Sequence, residues 1–235
     1  MSKVVLTYRF TFPDSQERAF PLEMDRDTAE LSPPSGVTEP PAWTALGFNQ
    51  CSGCPLNSAE TPHCPAALHL SGVLDGFTDL VSYDKVRVTV ETDERSVVAT
   101  LPAQQALASL MGLIMASSGC PRTAVFRPMA RFHLPFSSES ETAYRVASMY
   151  LLAQHFAVRD GAPADFELND LERVYRGVHA VNRGMAQRLR AASRQDAIVN
   201  AVVLLDVYSS LVPAAIHDIL AEIKPAFAAL LTDSK

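Results

Sequence analysis

Four residues of this chain, Cys51, Cys54, Cys64 and Cys120, have types and spacing suited to chemistry. The Cys51-Ser52-Gly53-Cys54 run is a C-x2-C pair, which puts two thiolates on one tight turn, close enough to share a metal. Cys64 returns within the same loop and Cys120 comes from a distant part of the chain. Four soft ligands is the number that both a tetrahedral zinc and a cubane iron–sulfur cluster require. The chain has 4 cysteines in all, so the set leaves none over.

Proline follows three of the four: Cys54-Pro55, Cys64-Pro65 and Cys120-Pro121. Proline removes a backbone N–H and fixes φ, which stiffens the chain beside each sulfur. A Cys-Pro step is part of the bacterial ferredoxin pattern. Zinc knuckles usually have glycine after the second cysteine, where this chain has Pro55. The sequence therefore favours a 4Fe-4S cluster, with zinc as the alternative. A redox-active dithiol fits less well, because such C-x-x-C pairs open a helix after a strand. Residues 43–50 show no strand pattern, and a dithiol leaves Cys64 and Cys120 unexplained.

Arg122 and Arg131 lie just beyond Cys120 and could offset the negative charge of four thiolates. His63 adjoins Cys64, and His133 lies in the stretch Met129-Ala130-Arg131-Phe132-His133-Leu134-Pro135-Phe136. Either histidine could stand near the site or replace a cysteine as ligand. This stretch reads as a rigid, proline-bounded loop that plugs the core with Phe132, Leu134 and Phe136. Catalytic motifs are absent: Ser117-Ser118-Gly119 is no nucleophile elbow, and no glycine-rich phosphate loop or dinucleotide fingerprint is present. The sequence leaves open whether the protein is an enzyme.

Cys51-Ser52-Gly53-Cys54-Pro55-Leu56, Ser118-Gly119-Cys120-Pro121, Met129 to Phe136 and Asn200-Ala201 together resemble an uncharacterised bacterial family, a domain of unknown function. The resemblance covers most of the chain and brings no established activity. It implies that the cysteine loop and the Phe-His-Leu-Pro-Phe stretch form one assembly.

The elements that must position these residues follow from hydrophobic periodicity. Residues 4–12 and Ala19 to Met24 flank the polar turn Pro13-Asp14-Ser15-Gln16-Glu17, and Val86 to Val90 and Ser96 to Leu101 flank Asp93-Glu94. Both are hairpin patterns, able to pair in one antiparallel sheet. Asp27 to Pro41, with four prolines, reads as an extended loop. Helical spacing covers Ala66 to Phe77 and Gln104 to Ser117, the second delivering Cys120. Further helices are expected over Ser138 to Ala157, Asp170 to Arg190, Asp196 to Leu211 and, after a break, Pro213 to Leu231, with Asp170, Ser193 and Asp196 at caps or breaks. The fold class is α+β: a small antiparallel sheet from two hairpins early and a mostly helical C-terminal half. Residues 1–235 are expected to form one metal-binding domain, with the sheet and cysteine loop in 1–121 and the helical part in 122–235.

A net charge of −6 and a pI near 5.5 argue against nucleic acid as partner, since that affinity needs a basic face. The run Arg173, Arg176, Arg183, Arg188, Arg190 and Arg194 reads as a solvated helix face. The N-terminus reads as a strand and not as a signal peptide. Asn200, Asp206, Ser209, Ser210 and Pro213 interrupt the long apolar C-terminal stretch, so no membrane span is expected. A cytoplasmic location follows, where structural disulfides are rare. The apolar C-terminal helices could serve a protein partner or a homodimer.

Overall fold

The computed structural model describes residues 2–12, 14–34, 37–77, 80–192 and 196–232. Pro13 of the expected first turn, Ser193 and Arg194 lie outside the described residues.

Both expected hairpins form, as β1 (Lys3–Thr11) with β2 (Glu17–Asp25) and β3 (Lys85–Glu91) with β4 (Ser96–Pro102). They join through β1 and β3 into one antiparallel sheet of order β2-β1-β3-β4. The register sets Tyr8 opposite Val90 and Phe10 opposite Val88. Side chains alternate across a pleated strand, so Leu6, Tyr8 and Phe10 share a buried face with Val86, Val88 and Val90. Phe10, Phe12, Phe20 and Phe77 stack into an aromatic group at one end of that face.

The sheet packs on α1 (Pro65–Leu74) and α2 (Ala103–Ser117). α2 is apolar nearly all round, which marks a helix enclosed on several sides. Indeed Leu107, Leu110, Met111 and Ile114 are fully buried. Its outer side meets α5 (Leu171–Ala192) and α6 (Asp196–Ile223), which contribute Val181, Met185, Leu189, Ala197, Ile198 and Val202 to the same core. α3 (Arg127–Arg131) and α4 (Glu139–Arg159) complete the helical half, before the short α7 (Ala228–Thr232). α4 opens on a capping box: Glu141 N–H donates to Ser138 Oγ, and Ser138 N–H donates to Glu141 Oε2. A smaller second core joins Val146, Ala147 and Tyr150 of α4 to Leu171 and Tyr175 of α5 and Val212 and Ile216 of α6.

Three expectations are corrected. The break at Pro213 does not occur; α6 runs through it to Ile223. Proline there costs one backbone hydrogen bond, but Ser209, Val212, Ile216 and Ile219 keep a helical spacing of buried positions across it, and that packing holds the helix together. In consequence, the stretch Asp196–Leu231 is long and apolar enough by length and composition to cross a membrane, although 33% of its most apolar window is buried and serves as core.

The loop expected over Pro128 to Phe136 begins as α3, and it is not the aromatic plug anticipated. Phe132 leaves the helix end with its ring 72% exposed and under the Arg131 guanidinium, 5.1 Å from the ring centre. Only Phe136 of the two phenylalanines packs against the core.

The arginine run is likewise not one solvated face. Arg173 and Arg176 pair with Asp170 and Glu172 at the surface, whereas Arg188 is 2% exposed. The phase of α5 is the reason: Val181, Met185 and Leu189 mark its buried stripe, and Arg188 falls inside it.

Candidate metal centre

The loop carrying Cys51, Cys54 and Cys64 is seated between the N-terminus of α1, the turn after α2, and α5. Cys51 and Cys54 share a turn closed by Cys54 N–H donating to Cys51 O at 3.0 Å. Gly53 in that turn has φ +65, and Arg122 Nη2 donates to its carbonyl oxygen. The positive φ favours glycine there, and a Cβ at position 53 would displace the end of the Arg122 side chain. Arg122 thereby ties the segment after Cys120 to the C-x2-C turn.

Cys64 precedes α1. Its N–H donates to Thr44 O at 2.8 Å and its carbonyl accepts from Leu68 N–H; the Ala67 and Ala66 N–H groups lie close enough to its sulfur to favour the thiolate. Pro65 is the first residue of α1, a position that suits proline on helical grounds alone. This weakens the ferredoxin-like reading of that one Cys-Pro step.

Cys120 follows Gly119, which ends α2 with φ +86. The turn is pinned by Thr123 Oγ1 donating to Met115 O at 2.6 Å, and by Thr123 and Ala124 N–H donating to Cys120 O at 3.2 and 3.0 Å. It lies against the start of α1: a Cβ on Gly119 would stand 4.0 Å from Pro65 Cβ.

The four thiols sense one another. Burial first, then repulsion from Cys54, Cys120 and Cys64, pushes the Cys51 thiol up to about 12. Burial also raises Cys64, opposed by the Ala67 N–H and by Arg188. All four are free thiols, with Cys120 the most buried. Among the described residues no three His, Cys, Asp or Glu side chains already stand as a ligand set for one metal ion. The donor chemistry is of a kind that suits a soft metal: four sulfurs, one buried and three half-buried, with amide N–H groups at a helix N-terminus beside one of them.

α5 supplies the wall that sequence reasoning missed. A Cβ on Gly184 would lie 3.0 Å from Cys51 Cβ and 3.2 Å from its Cα. One turn further on, Arg188 donates to the carbonyls of Trp43, Ala45 and Leu46 at 2.7, 2.7 and 2.8 Å. It makes no ion pair among the described residues, and the side chains of Cys64, Cys51 and Cys54 are close enough to raise its pKa against the lowering effect of burial. A buried cation without a carboxylate is costly unless an anionic group stands by.

The other candidates lie elsewhere or act locally. His63 Nδ1 is 2.8 Å from Thr44 Oγ1. That hydroxyl gives its one proton to Pro41 O at 2.7 Å, so Nδ1 is the donor. Arg131 Nε donates to Arg26 O. His133 Nε2 lies 2.5 Å from the Tyr8 hydroxyl, which is 2.8 Å from Ser109 Oγ. Ser109 is 8 residues before the end of α2 at Ser117, about 12 Å along the helix at 1.5 Å per residue, and Cys120 lies beyond that end. His133 and the cysteines are therefore separate features.

A family model described as a domain of unknown function, DUF6901, matches residues 6–228. The chain belongs to that family. No curated protein and no solved structure matches it. The family carries no established activity, so the case for function rests on this chain's own residues.

Proposed function

We propose that the chain binds a 4Fe-4S cluster through Cys51, Cys54, Cys64 and Cys120 and uses it in redox sensing or electron transfer. The observation that carries this reading is that cysteines from two distant segments are brought to one place: Cys51 lies on Gly184 of α5, Arg122 just after Cys120 binds the Gly53 carbonyl, and the buried Arg188, without a carboxylate partner, lies one turn beyond Gly184. Four thiolates around a cubane give a net negative group, which Arg188 and the Ala66 and Ala67 amides would offset. When bound, the cluster would supply one-electron chemistry. The chain's own part is to hold one buried and three half-buried sulfurs while Ser52, Gly53 and Pro55 remain exposed at the site's edge. A partner can then approach the cluster closely.

That partner would be a protein, since no flavin or nicotinamide motif accompanies the cysteines. Leu151, Leu152 and Phe156, exposed on α4, give an apolar surface for it or for a second copy. Free thiols accord with a reducing compartment and hence a cytoplasmic location. Zinc is the alternative occupant, in which case the metal would supply folding energy and no electrons.

Anaerobic purification followed by an absorption spectrum and metal analysis decides between them. A brown protein with a broad band at the violet edge supports the cluster. A colourless protein holding one zinc overturns it.

A further inference from the structure

Between α2, α5 and α6 lies a cavity of about 470 Å³, also lined by the segment from Phe126 to Ser138 and the start of α4. This volume falls in the range of small-molecule sites. Most of its wall is apolar, including Leu113, Phe126, Val178, Leu204 and Val212. Its polar lining includes Ser109, His133, Ser137, Thr142 and Arg145, with Asn182 on α5 and Ser209 on α6. Exposed Ser138 and Tyr208 mark where the cavity meets solvent.

Arg145 is the one charged side chain among the described lining residues, and no carboxylate accompanies it. It makes no ion pair among the described residues. Its Nη2 donates to Met129 O and Phe132 O, both at 2.8 Å, which fixes the guanidinium beside the cavity. Glu141 is the acidic group near enough to affect it, but that carboxylate is engaged by Ser138 N–H in the α4 cap. Burial keeps His133 neutral, so it offers hydrogen bonding and no charge. Ser109 Oγ, bonded to the Tyr8 hydroxyl and accepting from Phe136 N–H at 3.4 Å, can orient its proton either way. Phe136 itself has φ +60, a conformation that aromatic residues rarely adopt and that concentrates at ligand clamps.

We infer that this cavity binds an amphipathic monocarboxylate, with its carboxylate on Arg145 and the Ser109–His133 end and its apolar chain between α2, α5 and α6. With Nη2 held by Met129 O and Phe132 O, the Arg145 N–H groups on Nε and Nη1 are left to donate singly to a carboxylate, and a fixed cation in an apolar pocket selects against neutral and cationic heads.

Calorimetric titration of the full chain with sodium decanoate tests this, with decyltrimethylammonium as the probe of equal chain length and opposite charge. Decanoate is expected to bind at one site and the cation at least about tenfold more weakly. Arg145→Met should weaken decanoate by a similar factor. Gly112→Leu should abolish binding by filling the cavity, since Gly112 lines it and a Cβ there would meet only a Leu205 methyl at 3.4 Å. Equal binding of the two probes by the unaltered chain would overturn the inference, and this arm depends on no variant folding. Undiminished decanoate binding by a folded Gly112→Leu chain would overturn it equally.

Discussion

Gly184 and Cys51 meet with no room between them: a Cβ at position 184 would stand 3.0 Å from Cys51 Cβ. The neighbour is backbone-proximal and cannot swing aside. Gly184→Ala should therefore push the C-x2-C turn off α5. On helix propensity alone the change would stabilise by about 1 kcal/mol. The expected outcome is the reverse, a loss of about 1–3 kcal/mol in urea unfolding with faster alkylation of Cys51. A more stable variant with unchanged thiol reactivity would show that the contact does not constrain the loop.

Arg188→Met should cost about 3 kcal/mol or more, because three carbonyls lose their donor while the apolar stem is kept. Arg188→Lys should recover little of this, since one ammonium cannot reproduce the fork that reaches Trp43, Ala45 and Leu46. Denaturant midpoints of the two variants check both statements.

His133 gives the fold an acid sensitivity of defined sign. Burial, with help from Arg145, pushes its pKa from 6.5 down to about 3, so the unfolded chain binds a proton that the fold refuses. Its contribution is constant above pH 6.5 and is lost as pH falls from there towards about 3, at up to about 1.4 kcal/mol per pH unit. Stability measured at intervals between pH 7 and 4.5 should fall more steeply for the native chain than for His133→Gln. Parallel curves would remove His133 from the account.

Pro213 interrupts the α6 hydrogen-bond ladder without breaking the helix. Pro213→Ala should raise stability by about 1–3 kcal/mol in thermal or urea unfolding. A loss would mean that the proline shapes the contact of α6 with α4 and α5.

The parts of this fold legible in the sequence are those written in local periodicity. Leu6, Tyr8 and Phe10, and Val86, Val88 and Val90, alternate as a half-buried sheet requires, and both strand pairs follow. Ser138 with Glu141 announces the start of α4. Partnerships across the chain were not legible: Tyr8 and His133 are 125 residues apart, and nothing local couples them. Arg188 could have been found by phase, because it shares the stripe of Val181, Met185 and Leu189, yet counting charge hid it in the arginine run. Gly177 and Gly184, seven apart on α5, were a second available signal. The first lies under Arg122 and the second under Cys51. Pro213 misled because a propensity rule was applied without the packing that overrides it.

The central claim is that four cysteines from two distant segments serve one cluster. Its most direct test is iron and acid-labile sulfide per folded chain, measured on anaerobically prepared native protein and on Cys120→Ser. The account predicts about four of each for the native chain and a large loss of both for the variant, even though Cys120 lies far in sequence from the C-x2-C turn. Native protein without iron and sulfide, or a Cys120→Ser chain that keeps its full complement, would contradict it.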